Sequence, residues 1–525
     1  MFASPVRTRT HGFTTKTQRT PRRIQRMGIL LGALCVFVVH LFSATRFASA
    51  ADSPYFGIHV VDEVTNRGVP LIELRTVNDI AFYTDNAGWI AFHEPGLMNR
   101  EVYFAVSGPG YERAKDGFGF RGVRLTPKPG ETVIVKVQRT NIAERIGRLT
   151  GQGIYRDSTL LGLPRPLKEP NLVAGVLGQD SVQVMPYRGK LFWLWGDTNL
   201  PNYPLGNFQT TSATSPLPKL GTFDADAGIA FTYFTDGKQP DRVRKMMPLK
   251  EPGPVWLFGL LTVSDNQNRE TLLAHFTRRK SLAEEAEHGL ARFDDEAGQF
   301  VKLRTRELAE KWRFPRGNAV RVQESDGDYF YFADPFCNTR VKATWADLLD
   351  PTRYESLAFD ATSGKYQWQR TLAPTTQPEE RKLIASGKLP ANQARYAIVD
   401  ASSQQPVTMH GASVNWNAFR KKWVMIGVQA GEHGAPSYLG EVWYAEADHV
   451  AGPWRRAVKI ASHPKYSFYN PRQHPFFDTE NGRILVFEGT YTHTFSGNMN
   501  PTPRYDYNQL MYRLDLSDPR LAGGR

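Results

Sequence analysis

One stretch decides the fold of this chain: Gln179-Asp180-Ser181-Val182-Gln183-Val184-Met185-Pro186-Tyr187-Arg188-Gly189-Lys190-Leu191-Phe192-Trp193-Leu194-Trp195-Gly196-Asp197-Thr198. Val182 and Val184 alternate with polar residues, which is typical of a half-buried strand. Residues 187–190 supply a turn, and residues 191–195 form an apolar return strand. The stretch therefore predicts one β-hairpin.

A carboxylate stands at each end of this hairpin, since Asp180 precedes the first strand and Asp197 follows the second. A hairpin brings its two ends to the same edge, so both carboxylates are expected on one face. The same order of polar start, strand, turn, aromatic or β-branched strand and polar finish recurs along the chain. The further copies are residues 317–334, 410–429 and 470–488, with a poorer copy at 251–263.

Five such units, each followed by candidate outer strands, predict a five-bladed β-propeller over residues 173–516. Two charged stretches, 280–290 and 378–394, have helical character and are interpreted as insertions. The alternative architecture is two stacked sandwiches. The repeated polar and apolar order of the hairpins favours the propeller.

Residues 54–139 predict a small β-sandwich, because short alternating strands are separated by Gly, Asn and Asp turns. This segment resembles the carboxypeptidase-regulatory-like, prealbumin-like domains, in the order Val-Asp, Thr-x-x-Gly-Val-Pro, Thr-Asp-x-x-Gly, Gly-Tyr. The resemblance implies an accessory domain. Residues 140–172 are predicted to be a linker, with a short helix as a second interpretation of 141–149. The predicted fold class is all-β.

The first fifty residues predict a signal peptide, because basic residues precede an apolar run that ends at Ala48-Ser49-Ala50. The alternative is an uncleaved membrane anchor, the one case in which a membrane contact is expected. Residues 1–50 hold eight Lys and Arg and no acid, so removing them lowers the net charge from +13 to +5. That mild excess indicates no nucleic-acid partner. The expected location is secreted, periplasmic or at the cell surface.

In a propeller, the innermost strands begin and the second strands end at one mouth of the central tunnel. The residues predicted at this mouth are Asp180, Asn318, His410, Arg472 and His474 at strand starts and Asp197, Asp334 and Glu488 at strand ends. Trp195 and Tyr491 are candidate stacking surfaces for sugars. Carboxylates, amides and aromatic rings are what a carbohydrate site needs, and two carboxyl groups suffice for glycoside hydrolysis.

Here the chain resembles the five-bladed propeller glycosidases of the arabinanase/xylosidase and invertase-like clans. The resemblance lies in Gln179-Asp180-Ser181 and in residues 445–454, which end in Gly-Pro-Trp. It implies that Asp180 is the general base or the nucleophile. The chain departs from the family at Asn318, where a second Asp is expected, and at His410, where the general-acid Glu is expected. The candidates for the acid are Glu488, Asp197, Glu251 and Glu441, in that order.

The predicted function is a secreted glycoside hydrolase acting on a polysaccharide, with Asp180 and either Glu488 or Asp197 as its catalytic carboxyl groups. The alternative is a non-catalytic propeller that binds glycans or proteins at the cell surface. A third possibility is a metal-dependent lyase or esterase at the same mouth. That possibility would use His410, His474 and His493. Neither a cofactor nor a bound metal is expected for the glycosidase.

Overall fold

A computed structural model describes residues 53–524, except for 168–171 and 432–437. The predicted signal peptide lies outside the described residues. The described chain is mostly strand, which confirms the all-β class, and its α-helices are short: α1 Arg156–Leu160, α2 Trp345–Leu349 and α3 Gln377–Ala385. Short 3-10 helices span Lys311–Arg313, Pro351–Arg353, Ala391–Gln393, Pro475–Phe477, Glu480–Gly482 and Pro519–Gly524. Within this part of the chain, no helix is both long and apolar enough to span a bilayer.

Two four-stranded sheets form the N-terminal part. Their strands are β1 Phe56–Asp62, β2 Glu73–Thr76, β3 Ala81–Tyr83, β4 Trp89–Phe92, β5 Val102–Ser107, β6 Tyr111–Glu112, β7 Gly122–Leu125 and β8 Thr132–Arg139. One sheet has the order β4-β1-β8-β6 and the other β3-β2-β5-β7. Ile58, Leu74 and Phe104 are completely buried in the core that the two sheets share. Burial alternates along β5, as its period-two sequence predicts.

The next strand, β9 (Glu144–Arg148), lies in the predicted linker and is neither helix nor loop. Its Arg145 is completely buried and donates hydrogen bonds to three carbonyl oxygens of the N-terminal part. The acceptors are Pro70, Pro109 and Leu71, at 2.9, 2.7 and 3.2 Å. These bonds satisfy a buried guanidinium that would otherwise be costly to desolvate. They join the N-terminal sheets to the strands that follow.

Five larger sheets, called sheets I to V, follow in chain order. Sheet I contains β11 Gln183–Tyr187, β12 Lys190–Trp195, β15 Thr211–Pro216 and β16 Thr232–Tyr233. Sheet II contains β19 Val255–Ser264, β20 Glu270–Arg279, β21 Glu285–Asp294 and β22 Gln299–Arg306. Sheet III contains β23 Asn318–Glu324, β24 Gly327–Ala333, β25 Cys337–Lys342, β26 Glu355–Asp360 and β27 Lys365–Gln369.

Sheet IV contains β28 Val399–Asp400, β29 Met409–Asn417, β30 Lys422–Gln429, β31 Glu441–Ala447 and β32 Arg456–Ser462. Sheet V contains β33 Ser467–Gln473, β34 Ile484–Thr492, β35 Asn508–Asp515 and, at its outer edge, β9. Two smaller sheets accompany sheet I. They are formed by β10 Gly178–Gln179 with β13 Thr198–Leu200 and β14 Tyr203–Asn207, and by β17 Thr235–Asp236 with β18 Gln239–Val243.

The hairpin predicted at residues 179–198 is present as β11 and β12. Tyr187 pairs with Lys190, so the turn has two residues, Arg188 and Gly189. Both have positive φ, 47° and 74°, which is the conformation that matches the right-handed twist of the two strands. The period-two pattern and the turn residues therefore predict this element correctly.

Two sequence predictions in sheet II are wrong. In the segment 251–263, interpreted as a poorer copy of the hairpin, residues 255–263 belong to the single strand β19. Part of 280–290, interpreted as helical, belongs to β21, which is hydrogen-bonded to β20 on one side and β22 on the other. Pairing along both edges outweighs the helical propensity of its Glu, Ala and Leu residues. The helical prediction for 378–394 is confirmed as far as residue 385 by α3, which begins with a Thr376–Glu379 capping box, and a 3-10 helix follows at Ala391–Gln393.

Sheets I to V pack in cyclic order around five inner strands, and each of these is called the first strand of its sheet: β11, β19, β23, β29 and β33. The first strand of each of sheets I to IV contacts the first strand of the next sheet. A separate apolar core fills each interface, including the one between sheets V and I. Representative pairs are Leu194 with Leu257, Leu273 with Phe330, Tyr331 with Met425, Val424 with Phe487, and Val486 with Trp193.

Candidate active site

Asp180 and Asp197 lie side by side at the open end of the β11–β12 hairpin. The Asp180 amide donates to the Asp197 carbonyl at 3.2 Å, and the Gly196 amide donates to the Asp180 carbonyl at 2.8 Å. The backbone is so close here that a Cβ at Gly196 would lie 2.2 Å from Oδ1 of Asp180. Residue 196 must therefore be glycine for the two carboxyl groups to keep this arrangement.

Two tyrosines contact the Asp180 carboxyl: Tyr469, in β33 of sheet V, and Tyr507, the residue just before β35. The Tyr469 hydroxyl donates to Oδ2 at 2.8 Å, and the Tyr507 hydroxyl donates as well. Burial raises the pKa of Asp180, while the two hydroxyl donors act in the opposite direction because they stabilise the carboxylate. Both tyrosines are buried, Tyr469 with 6% of its surface exposed, so they hold the carboxyl in a fixed orientation.

Asp197 accepts a hydrogen bond from the indole Nε1–H of Trp256, the second residue of β19, at 2.7 Å. Burial and the negative charge of Asp180 raise the pKa of Asp197 to about 7. When one of two neighbouring carboxyl groups is ionised, its negative charge disfavours ionisation of the other. At neutral pH this pair is therefore able to hold one proton, which is the protonation state that acid–base hydrolysis requires.

Aromatic rings surround the pair. Trp256 packs edge-on against Phe208, with ring centroids 5.2 Å apart, and lies beneath the Arg279 guanidinium at 5.4 Å. Phe495, more than half exposed, packs edge-on against Tyr469. Exposed and half-exposed rings next to two carboxyl groups form a surface on which a sugar ring can stack.

Asp334 and His410 form a second charged group. Both residues are exposed at the surface. Partial desolvation by the surrounding chain raises the pKa of Asp334, and the charges of Arg316 and His410 partly offset that rise. Partial desolvation also lowers the pKa of His410, and the charge of Asp334 acts in the opposite direction. A Cβ at Gly411, next to His410, would lie 3.6 Å from Asn470, whose amide donates to the Ser181 hydroxyl at 2.8 Å. This group therefore borders the segment that carries Asp180.

Asn318 lies at the start of β23, as predicted, and its amide donates to the Ala412 carbonyl of sheet IV at 3.1 Å. It thus links two neighbouring first strands. Its side chain also lines a cavity between the first strands, together with Arg472.

Glu488 does not end its strand, because β34 continues four residues beyond it to Thr492. Its side chain has no exposed surface. Its Oε1 is 2.6 Å from Nε2 of the buried His474. Burial raises the pKa of Glu488 and lowers that of His474. In the described structure no hydrogen bond or ion pair joins Glu488 to Asp180, so the two do not form a carboxyl pair.

Trp195 and Tyr491 are buried, with 0% and 1% of their surfaces exposed. Trp195 stacks on Trp193, and Tyr491 packs on Tyr466. Neither ring presents a face on which a sugar could stack. Their contribution in this structure is to the cores of sheets I and V.

The three histidines predicted to serve a metal-dependent lyase or esterase have different partners. His410 lies beside Asp334, His474 contacts Glu488, and His493 is 2.9 Å from Asp506. Among the described residues, no group of three or more His, Cys, Asp or Glu side chains is close enough to hold a metal ion.

Sequence reasoning missed two residues that contact the pair, Trp256 and Tyr507. Trp256 was detectable, because it stands at the start of the first strand of its unit, the position at which Asp180 and Asn318 were found. Its unit is the poorest copy of the repeat, so the pattern there does not mark a strand start clearly. Tyr507 follows an irregular segment with no strand pattern, and no sequence signal points to it.

Comparison with known proteins gives similarity to solved structures alone, since no family and no curated protein matches the chain. An exo-β-1,3-galactanase from Phanerochaete chrysosporium with β-1,3-galactotriose is 11% identical, with a TM-score of 0.34; the match covers 65% of this chain and 61% of that one. A putative exo-β-1,3-galactanase from Bifidobacterium bifidum is 11% identical over 71% of this chain and 94% of that one, with a TM-score of 0.33.

A GH43_1 enzyme from Xanthomonas citri complexed with xylotriose is 11% identical over 65% of this chain and 88% of that one, with a TM-score of 0.31. The structural neighbours are thus glycoside hydrolases. The match spans less than two thirds of the Phanerochaete enzyme. At such TM-scores these similarities assign neither the fold nor the activity of this chain.

Proposed function

We propose that this protein is a secreted glycoside hydrolase that acts on a polysaccharide, and that sheets I to V are the blades of a five-bladed β-propeller. The cyclic order of the five apolar cores supports the propeller. So does β9, which precedes sheet I in the chain and pairs with β35 of sheet V. Because β9 comes before the first blade and pairs with the last one, it would close the ring of blades. The two N-terminal sheets would then be an accessory β-sandwich.

The observation that carries the activity is the Asp180–Asp197 pair. Asp180 accepts two tyrosine hydroxyls, which favour its ionised form. Asp197 accepts one indole N–H and lies beside the Asp180 charge, with a pKa of about 7. This difference in environment assigns the base or nucleophile to Asp180 and the general acid to Asp197.

In the proposed reaction, Asp197 donates its proton to the glycosidic oxygen as the bond from the anomeric carbon to that oxygen breaks. Asp180 either attacks the anomeric carbon directly or takes a proton from the water that attacks it. Both routes need one protonated and one ionised carboxyl group at the same moment. Trp256 is a positioning residue here, because its indole N–H orients the Asp197 carboxyl.

The alternative is a non-catalytic propeller that binds glycans or proteins at the cell surface. Aromatic rings and amides are sufficient for binding, and a binding site gains nothing from two adjacent half-buried carboxyl groups. Keeping two such groups together costs free energy through desolvation and mutual repulsion. The pair therefore favours the enzyme.

An assay on a panel of polysaccharides distinguishes the two functions. We expect the purified protein to release reducing ends from at least one neutral or acidic polysaccharide. Affinity electrophoresis in gels containing the same polysaccharides measures binding separately. Retention in the gel without any release of reducing ends would contradict the hydrolase and favour the binding propeller.

Secretion is tested by the mass of the exported protein. We expect the mature chain to begin at Ala51, because Ala48-Ser49-Ala50 has the small residues that signal peptidase requires. Intact-mass analysis of protein recovered outside the cytoplasm measures this directly. A mass that includes residues 1–50 would instead indicate the membrane anchor.

A further inference from the structure

A cavity of about 240 Å³ lies between the first strands of sheets I to V. Each of the five strands contributes to its wall. The contributing residues include Val184, Thr262, Asn318, Ser413 and Arg472. The cavity is distinct from the Asp180–Asp197 pair, because neither aspartate lines it.

The wall of this cavity is partly polar, and it contains two arginines but no carboxylate. Its polar side chains are Thr262, Asn318, Arg321, Ser413, Asn415, Arg472 and Gln473. Three of these are amides and two are hydroxyls, and all of them are able to donate hydrogen bonds. A wall with this composition disfavours a cation and favours an anion.

Arg472 is the buried cation of this wall. Only 6% of its surface is exposed, and its Nη1 has no hydrogen-bond partner among the described residues. Glu488 is its cross-strand neighbour, yet the two are not within ion-pairing distance, 4.0 Å, and Glu488 is held by His474. Burial lowers the pKa of Arg472 to about 9, although the charge of Glu488 acts in the opposite direction.

The second arginine of the wall is different. Arg321 is exposed, and its Nη2 is 2.7 Å from Oδ2 of Asp328, so its charge is already paired. Donors for a ligand are available near Arg472 instead. The Asn415 amide makes a long bond of 3.5 Å to Gln473 and has a second N–H, and Gln473 itself lines the cavity.

We propose that this cavity binds a small monovalent anion, of the size of a halide or formate, held by the Arg472 guanidinium and by amide N–H groups of the wall. A buried guanidinium nitrogen without a hydrogen-bond partner is costly, and a bound anion would supply the acceptor that Nη1 lacks and a negative charge close to it. The apolar part of the wall, which includes Val184, Met185 and Phe476, limits the room for larger anions. This site goes beyond the proposed hydrolysis and does not depend on it.

The direct test is a crystal of the purified protein grown or soaked in sodium bromide, measured at the bromine absorption edge. We expect an anomalous peak inside the cavity, within roughly 3.5 Å of a guanidinium nitrogen of Arg472. A cavity without such a peak, holding water alone, would overturn the proposal. This outcome needs no variant and no activity measurement.

Thermal unfolding gives a second test of anion binding by Arg472. Raising sodium formate from about 1 to 100 mM should increase the melting temperature of the wild-type protein by about 2–4 °C more than that of Arg472→Gln, because ligand binding stabilises the native state alone. Arg321→Gln is the matched control, since it removes the paired arginine of the same wall and should keep the wild-type response. Equal responses of the wild type and Arg472→Gln would contradict an anion held by Arg472.

Discussion

Asp180→Asn is expected to reduce polysaccharide hydrolysis by about 10³–10⁴-fold while the protein stays folded. The amide has the size of the carboxylate, and its oxygen can still accept a hydrogen bond from the Tyr469 hydroxyl. It can neither take a proton from water nor attack a carbon. Because the substitution also removes a half-buried charge beside Asp197, the melting temperature should not fall. Initial rates of reducing-end release, measured with calorimetry on the same samples, check both expectations.

The control for this prediction is Asp326→Asn, which changes an exposed aspartate in the β23–β24 turn. It should hydrolyse polysaccharide at the wild-type rate. Asp180→Asn should still be retained in affinity gels, because the rings of Trp256 and Phe495 do not depend on the carboxylate. A wild-type rate for Asp180→Asn would remove Asp180 from the mechanism.

The sequence predicts the local parts of this structure well. The β11–β12 hairpin follows from its period-two pattern and its Arg188-Gly189 turn, and the hairpin alone places Asp180 beside Asp197. These are contacts between residues close in the chain. No alignment or tertiary information is needed to find them, because a hairpin with a two-residue turn has a fixed register.

The parts that sequence reasoning missed depend on contacts between distant segments. Tyr507 reaches Asp180 across more than three hundred residues of chain, from a segment without regular structure. Glu488 was placed at a strand end because its strand was expected to stop there, whereas β34 continues to Thr492. The strand β21 looks helical by composition and becomes a strand because β20 and β22 offer hydrogen bonds on both edges. β9 is recognisable as a strand only through its pairing with β35.

Asp197→Asn is expected to lower the hydrolysis of polysaccharide by about 10²–10⁴-fold and to spare substrates that need no acid. A 2,4-dinitrophenyl glycoside of the same sugar has a leaving group that departs without a proton, so its hydrolysis should stay near the wild-type rate. The comparison of the two substrates in one variant measures proton donation separately from binding.

The pH profile provides the control for this assignment. A general acid must be protonated, so kcat/KM of the wild type on polysaccharide should fall above pH of about 7, where Asp197 loses its proton. Asp197→Asn should lose this alkaline limb, whereas Glu488→Gln should keep it and act on stability, because Glu488 is buried with His474. If Asp197→Asn slowed both substrates equally and kept the limb, the acid would have to be another group. A limb that disappeared in Glu488→Gln instead would give that role to Glu488, and the buried Glu488–His474 contact would then have to open during turnover.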